Sequence, residues 1–108
     1  MARRVARGEI WWYRFKEPHT RRPVLVLTRS AVIPLLHTVM VAPITSTRRG
    51  APGEVAVGVE EGLKRDSAVN IDHVQTVEQA RLVGFIGTLS EARMRQVCRA
   101  LAIATGCA

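Results

Sequence analysis

The chain has 108 residues, 47% of them apolar and only 5% aromatic, so a single domain over residues 1–108 with a small aliphatic core is expected. No apolar run approaches the roughly 20 residues of a membrane span, the basic start runs into Glu9 without the apolar stretch of a signal peptide, and Cys98 and Cys107 lie too close together for a disulfide scaffold, so a cytoplasmic location is expected. The net charge is +7, with fourteen arginines among the sixteen basic residues; residues 1–50 hold ten basic and two acidic side chains, residues 51–108 six and seven.

Such a basic half attracts phosphates or another polyanion, and arginine suits planar, bidentate phosphate contacts. Composition alone is equally compatible with an arginine-rich solvated surface.

Glu9–Phe15 (EIWWYRF) reads as an aromatic-rich strand between Gly8 and Pro18. Pro23–Thr28 (PVLVLT) is a continuous apolar run, the mark of a strand buried on both faces, with Pro23 at its first position. SAVIPLL between Arg29 and His37 is either a short helix broken at Pro34 or an irregular crossover. Thr38–Ile44 is a second buried run, and TRRGAPG at 47–53 is a loop. Glu54–Val59 alternates, placing Val55, Val57 and Val59 on one face. Ser67–Ile71 and Leu82–Ile86 complete about six strands, with a helical turn over Val77–Arg81 between the last two. One helix closes the chain: Ser90 is its N-cap, Glu91 sits in the first turn, Met94, Val97, Cys98 and Leu101 form the apolar stripe, and Gly106 ends it. Short strands, small connections and one terminal helix predict a mainly β fold, a small, partly open antiparallel barrel.

If successive strands alternate in direction, the ends of several meet at one edge. That edge collects Lys16, His19, Arg21, Arg22, Thr45, Ser46, Thr47, Arg48, Arg49, Asp72 and His73. Arg22 begins one strand where Thr45 ends another, so pairing of those strands makes them neighbours. Pro23 also holds Arg22 extended. Cations with hydroxyls between them suit a phosphodiester. Taken singly, Arg48 and Arg49 read more simply as a solvated loop and Thr45 to Thr47 as a turn; their convergence on one edge is what points to function.

Five segments in order, RGEIWW (7–12), RPVLV (22–26), VAPITS (41–46), DSAVNID (66–72) and IGTLS (86–90), resemble the MazF/PemK toxins of bacterial toxin–antitoxin systems. The resemblance runs over about residues 7–104. It implies the SH3-like barrel of the MazF/PemK/CcdB type with a C-terminal helix, working as a homodimer. It also implies sequence-specific, ribosome- and metal-independent cleavage of single-stranded mRNA without a cofactor, neutralised by a MazE-like antitoxin with an acidic C-terminal tail. By the same resemblance Arg22, Thr45 and Asp72 are the catalytic positions. A non-catalytic CcdB-like gyrase inhibitor and a plain nucleic-acid-binding barrel are the competing classes. Asn70 stands where PemK-like members carry a basic residue, and the loop KEPHTR before Arg22 is shorter than in many members.

Metal-free cleavage needs charge stabilisation at the phosphate and proton transfer at two oxygens. Arg22 is assigned the first task, and Thr45 a hydrogen bond to a non-bridging oxygen. Asp72 is assigned either the orientation of a hydroxyl or proton abstraction, with a salt bridge to an edge arginine as the alternative. Lys16, His19, Arg21, Ser46, Thr47, Arg48, Arg49, Asn70 and His73 are assigned to RNA binding. One of Trp11 and Trp12 must face the core, since neighbours on a strand point to opposite faces; the other is free to stack on a base. His37 and Cys98 are expected to be structural.

Overall fold

The structure, a computed structural model, describes residues 4–16, 20–47 and 49–107. Seven strands and one α-helix follow in the order β1 (Glu9–Arg14), β2 (Arg21–Val26), β3 (Thr38–Thr45), β4 (Glu54–Val57), β5 (Ser67–Asn70), β6 (Gln75–Glu78), β7 (Leu82–Thr88) and α1 (Glu91–Thr105). Every pairing is antiparallel. The sheet runs β4-β5-β3-β2-β1-β7, and β6 joins β3 off that path, so the barrel is partly open as expected.

The continuous apolar runs occupy the middle of this sheet because both of its faces are covered. On one face Ile10, Leu25, Leu27, Ala42 and Ile44 pack with Val55, Val57, Val69 and Val97 of the helix. On the other, Trp11, Tyr13, Val24, Val26, Val39 and Val41 pack with Ile33, Val77 and Leu82. Ile33 comes from the segment around Pro34, which is a 3-10 helix over Ser30–Leu35 with the proline inside it.

Two prolines sit where the ladder tolerates them. Pro43 pairs with Val24 on one side. On its other side β3 changes partner, from β6 at Thr38 to Val41 to β5 at Ile44 and Thr45. A residue without an N–H fits that handover. Pro23 is third in β2 rather than first: pairing with β1 extends back through Tyr13↔Arg22 and Arg14↔Arg21, whereas pairing with β3 starts only at Val24. Arg21 and Arg22 are therefore part of the ladder.

Three local expectations are corrected. β4 stops at Val57, and Val59 is exposed, not aligned with Val55 and Val57. The buried Glu61 carboxylate accepts the Gly58 N–H at 2.6 Å, which turns the chain into a 3-10 turn over Val59–Glu61. A seventh strand, β6, lies where a helical turn was expected from Val77, and only Gln79–Arg81 is helical. Its sequence QTVE buries Val77 alone, so it carries almost no hydrophobic signal. Cys98 is exposed: α1 buries Val97 and Ala100, and the thiol lies at the helix flank 3.3 Å from the Arg7 guanidinium. The caps are as expected, with Ser90 Oγ accepting the Arg93 N–H at 3.1 Å and Gly106 left-handed at φ 75°.

The turn at Val59–Glu61 lies flat on β7 because Gly87 has no side chain: a Cβ there would stand 2.0 Å from the Glu61 carbonyl oxygen. Gly87→Ala should lower stability by about 1–3 kcal/mol, the usual range for overpacking. The check is urea unfolding, with an earlier midpoint and an unchanged m value; an unmoved midpoint would show that the turn yields freely.

Candidate functional site

The β2–β3 register runs Val24↔Pro43, Leu25↔Ala42 and Val26↔Val41. Continued by two residues it sets Arg22 opposite Thr45. Both side chains line a hollow of about 690 Å³ on one side and one of about 240 Å³ on the other. The pair thus forms a saddle between two cavities.

The larger hollow has an apolar, partly aromatic floor of Trp12, Ile44, Leu63, Phe85 and Ile86. Arg21 and Arg22 line it from β2, Lys64 and Arg65 from the loop before β5, and Thr45, Ser46 and Ser67 supply hydroxyls. Trp11 is the buried member of the tryptophan pair, edge-on to Phe85 at 5.9 Å between centroids. Trp12 is half-buried, with the Arg21 guanidinium 5.5 Å above its ring, a cation–π contact. The smaller hollow has Pro43 and Ile44 in its wall, with Thr47, Arg49, Glu54, Asn70 and His73 supplying polar groups beside Arg22 and Thr45. Asn70 Nδ2 and His73 Nδ1 are 3.2 Å apart.

Thr45 Oγ1 accepts the Thr47 N–H at 3.1 Å, a local turn that fixes the side chain. With the acceptor side of the oxygen engaged, the hydroxyl proton is available to donate. Arg22 is exposed, and among the described residues it makes no ion pair. Two groups at the saddle can therefore address an anion together, one by charge and one by a directed hydrogen bond.

Most of the residues assigned from the sequence converge here: Arg21, Arg22, Thr45, Ser46, Thr47, Arg49, Asn70 and His73 line one or other hollow. Lys16 does not; it lines a separate hollow with Phe15, Thr76 and Arg81. Asp72 lines neither hollow. It belongs to the turn Ile71–His73, and its carboxylate packs on Gly53, where a Cβ would stand 2.3 Å from Oδ2. His19 and Arg48 lie outside the described residues. His37 is exposed, and its carbonyl accepts the Gln79 N–H at 2.9 Å. Sequence reasoning missed Lys64, Arg65, Phe85 and Glu54. The signal for the first two was the Lys-Arg step after Gly62, a loop charge with nothing local to say which edge it joins.

Fold and site together define a small, partly open antiparallel β-barrel protein with a cationic cleft at one edge. The chain belongs to the PemK-like, MazF-like toxins of type II toxin–antitoxin systems, whose family model matches residues 6–105. It is 47% identical over 103 residues to the probable endoribonuclease MazF5 of Mycobacterium tuberculosis, a match covering 94% of each chain. The Mycobacterium tuberculosis toxin MazF-mt6 has the same fold, with a TM-score of 0.84 at 37% identity, covering 91% of this chain and 96% of that one. An endoribonuclease in complex with its cognate antitoxin from a mycobacterial species is similar too, with a TM-score of 0.83 at 27% identity, covering 94% of this chain and 95% of that one.

Only one of the two tryptophans faces the cleft, which makes the site readable by fluorescence. When a single-stranded oligonucleotide is titrated in, Trp11→Phe should keep the change in emission and Trp12→Phe should lose it. The reverse pattern would place the ligand elsewhere.

Proposed function

We propose that this chain is a toxin endoribonuclease that cuts single-stranded mRNA at specific sequences in the cytoplasm. In this reading it works as a homodimer and is neutralised by a cognate antitoxin whose acidic tail lies in the same cleft. The observation that carries the reading is the Arg22–Thr45 saddle with a hollow on each side. A strand of RNA laid across it puts one phosphate on the saddle and a nucleotide in each hollow. Names of full-length relatives as endoribonucleases, and of a similar structure as a complex with its antitoxin, support the reading.

The 2′-hydroxyl oxygen of the nucleotide on one side attacks the phosphorus on the saddle and gives its proton to water. The bond to the 5′-oxygen breaks, and that oxygen takes a proton from water as it leaves, so the exchange is proton-neutral. The products are a 2′,3′-cyclic phosphate and a 5′-hydroxyl. Arg22 balances the charge that grows on the non-bridging oxygens, and the Thr45 hydroxyl donates to one of them. Guanidinium and hydroxyl supply the electrophilic groups, so a metal ion is not required by this scheme. Arg21, Lys64 and Arg65 hold flanking phosphates, and Trp12 offers a stacking face. Asp72, expected to act in the chemistry, packs on Gly53 outside both hollows, so no step is assigned to it here.

Arg22→Ala and Thr45→Ala should each lose about 10²-fold or more in cleavage rate, the typical cost of removing a transition-state donor. Both positions are at strand ends and neither is in the core, so the fold should persist. The measurement is end-mapped cleavage of a long RNA in EDTA. Near-normal cutting by folded Arg22→Ala would sink the site, and a need for added magnesium would sink the metal-free scheme.

An acidic peptide matching the antitoxin tail should compete with an uncleavable RNA analogue, and its association should slow as salt is added. Simultaneous binding of both with unchanged affinities would end the shared-cleft account.

A further inference from the structure

The loop between β3 and β4 brings Thr47 and Arg49 into the smaller hollow, yet Ser46, Thr47, Arg49, Gly50, Ala51 and Pro52 are all exposed. No apolar anchor among these residues sets where the loop lies. Thr47 is turned by its bond to Thr45, and the Ala51 carbonyl accepts the Glu54 N–H at 3.0 Å; between them the loop is gathered by one carboxylate. Glu54 Oε1 accepts the N–H groups of Arg49 at 3.0 Å and Gly50 at 2.9 Å, and Oε2 lies 3.2 Å from the Arg49 nitrogen. Gly50 has φ +69°, so the two successive N–H groups turn toward a single point, the geometry of an anion-binding nest. The nest is filled by the chain's own Glu54.

A carboxylate on the rim of a cationic cleft repels a polyanion, so its presence there asks for a return. The return is the loop. We propose that Glu54 is a positioning residue for the RNA: by gathering these N–H groups it sets Arg49 on the same hollow as Arg22 and Thr45, where Arg49 holds the phosphate next to the one that is cut. Because the nest is occupied, that phosphate is met by the side chain and not by the loop backbone. The inference rests on the endoribonuclease reading above and adds the residue that builds one of its phosphate subsites.

The test is steady-state cleavage of a short fluorogenic single-stranded oligonucleotide across a salt series. Glu54→Ala should raise KM about tenfold with kcat within about twofold, the signature of lost binding that does not grow in the transition state. The log–log salt dependence should flatten by about 0.7, one phosphate's share on a single strand. Arg49→Ala should match it, and the double variant should show no further change. Gly50→Pro removes one of the N–H donors and forbids the φ of +69°, so it should reproduce the effect with Glu54 intact. Glu54→Gln, which keeps an acceptor oxygen, should restore KM to within about threefold of the parent.

Wild-type KM and salt slope in both Glu54→Ala and Gly50→Pro would overturn the proposal. So would additive effects of Glu54→Ala and Arg49→Ala, or a fall in kcat at constant KM. If Glu54→Ala fails to fold, Gly50→Pro decides. Absence of cleavage by the parent protein is a different failure, that of the endoribonuclease reading itself.

Discussion

Register between β2 and β3 is the constraint on which the site depends. Val24, Leu25 and Val26 are wholly buried, and they alternate between the two cores of the sheet. A slip of one residue would exchange the faces of all three at once. No solvent-exposed face exists to absorb such a slip, so the pairing is fixed by burial on both sides. Arg22 and Thr45 lie at the open end of this locked ladder, and their proximity is inherited from aliphatic packing several residues away. An exposed guanidinium and a half-buried hydroxyl thereby take their places from the core.

The cleft is asymmetric in the way its parts are held. Arg21 and Arg22 rise from a paired strand, and Thr45 ends another. Lys64 and Arg65 come from a loop tethered at Ser67, whose Oγ donates to the Arg65 carbonyl at 3.0 Å. Arg49 depends on a carboxylate. Arg21, Arg22 and Thr45 are carried by strands, and Arg49, Lys64 and Arg65 by loops. Transition-state stabilisation requires donors fixed before charge develops, whereas tracking a flexible backbone tolerates movement.

Legibility in the sequence follows the same physics. β1, β2 and β3 are visible because burial on both faces leaves unbroken apolar runs. The Arg22–Thr45 meeting is visible because strand parity needs only direction and pairing. β6 is hidden because an edge strand that buries only Val77 looks like a polar turn. Val59 is misplaced because a buried glutamate, Glu61, ends the strand with a hydrogen bond that no periodicity records. Cys98 sits on the apolar stripe by spacing but beside Arg7 in space. Asp72 reaches the expected edge, yet the turn at Ile71–His73 aims its carboxylate at Gly53. That direction is a matter of one or two dihedral angles, which pattern reasoning does not reach. The motif resemblance located Arg22 and Thr45 independently of parity. It said nothing of Lys64, Arg65 or Glu54.

The guanidinium of Arg21 rests over the same ring that a base would stack on. In the endoribonuclease reading proposed above, base and arginine would compete for Trp12, and docking would be an exchange. The guanidinium covers part of the indole surface, which shields a half-buried aromatic ring from adventitious apolar contacts. A base taking the ring in that reading would free the guanidinium to meet the adjoining phosphate. Stacking and charge are coupled through a single side chain: a lysine in its place would keep the charge and give up the flat cover, and a leucine would keep a cover and give up the charge.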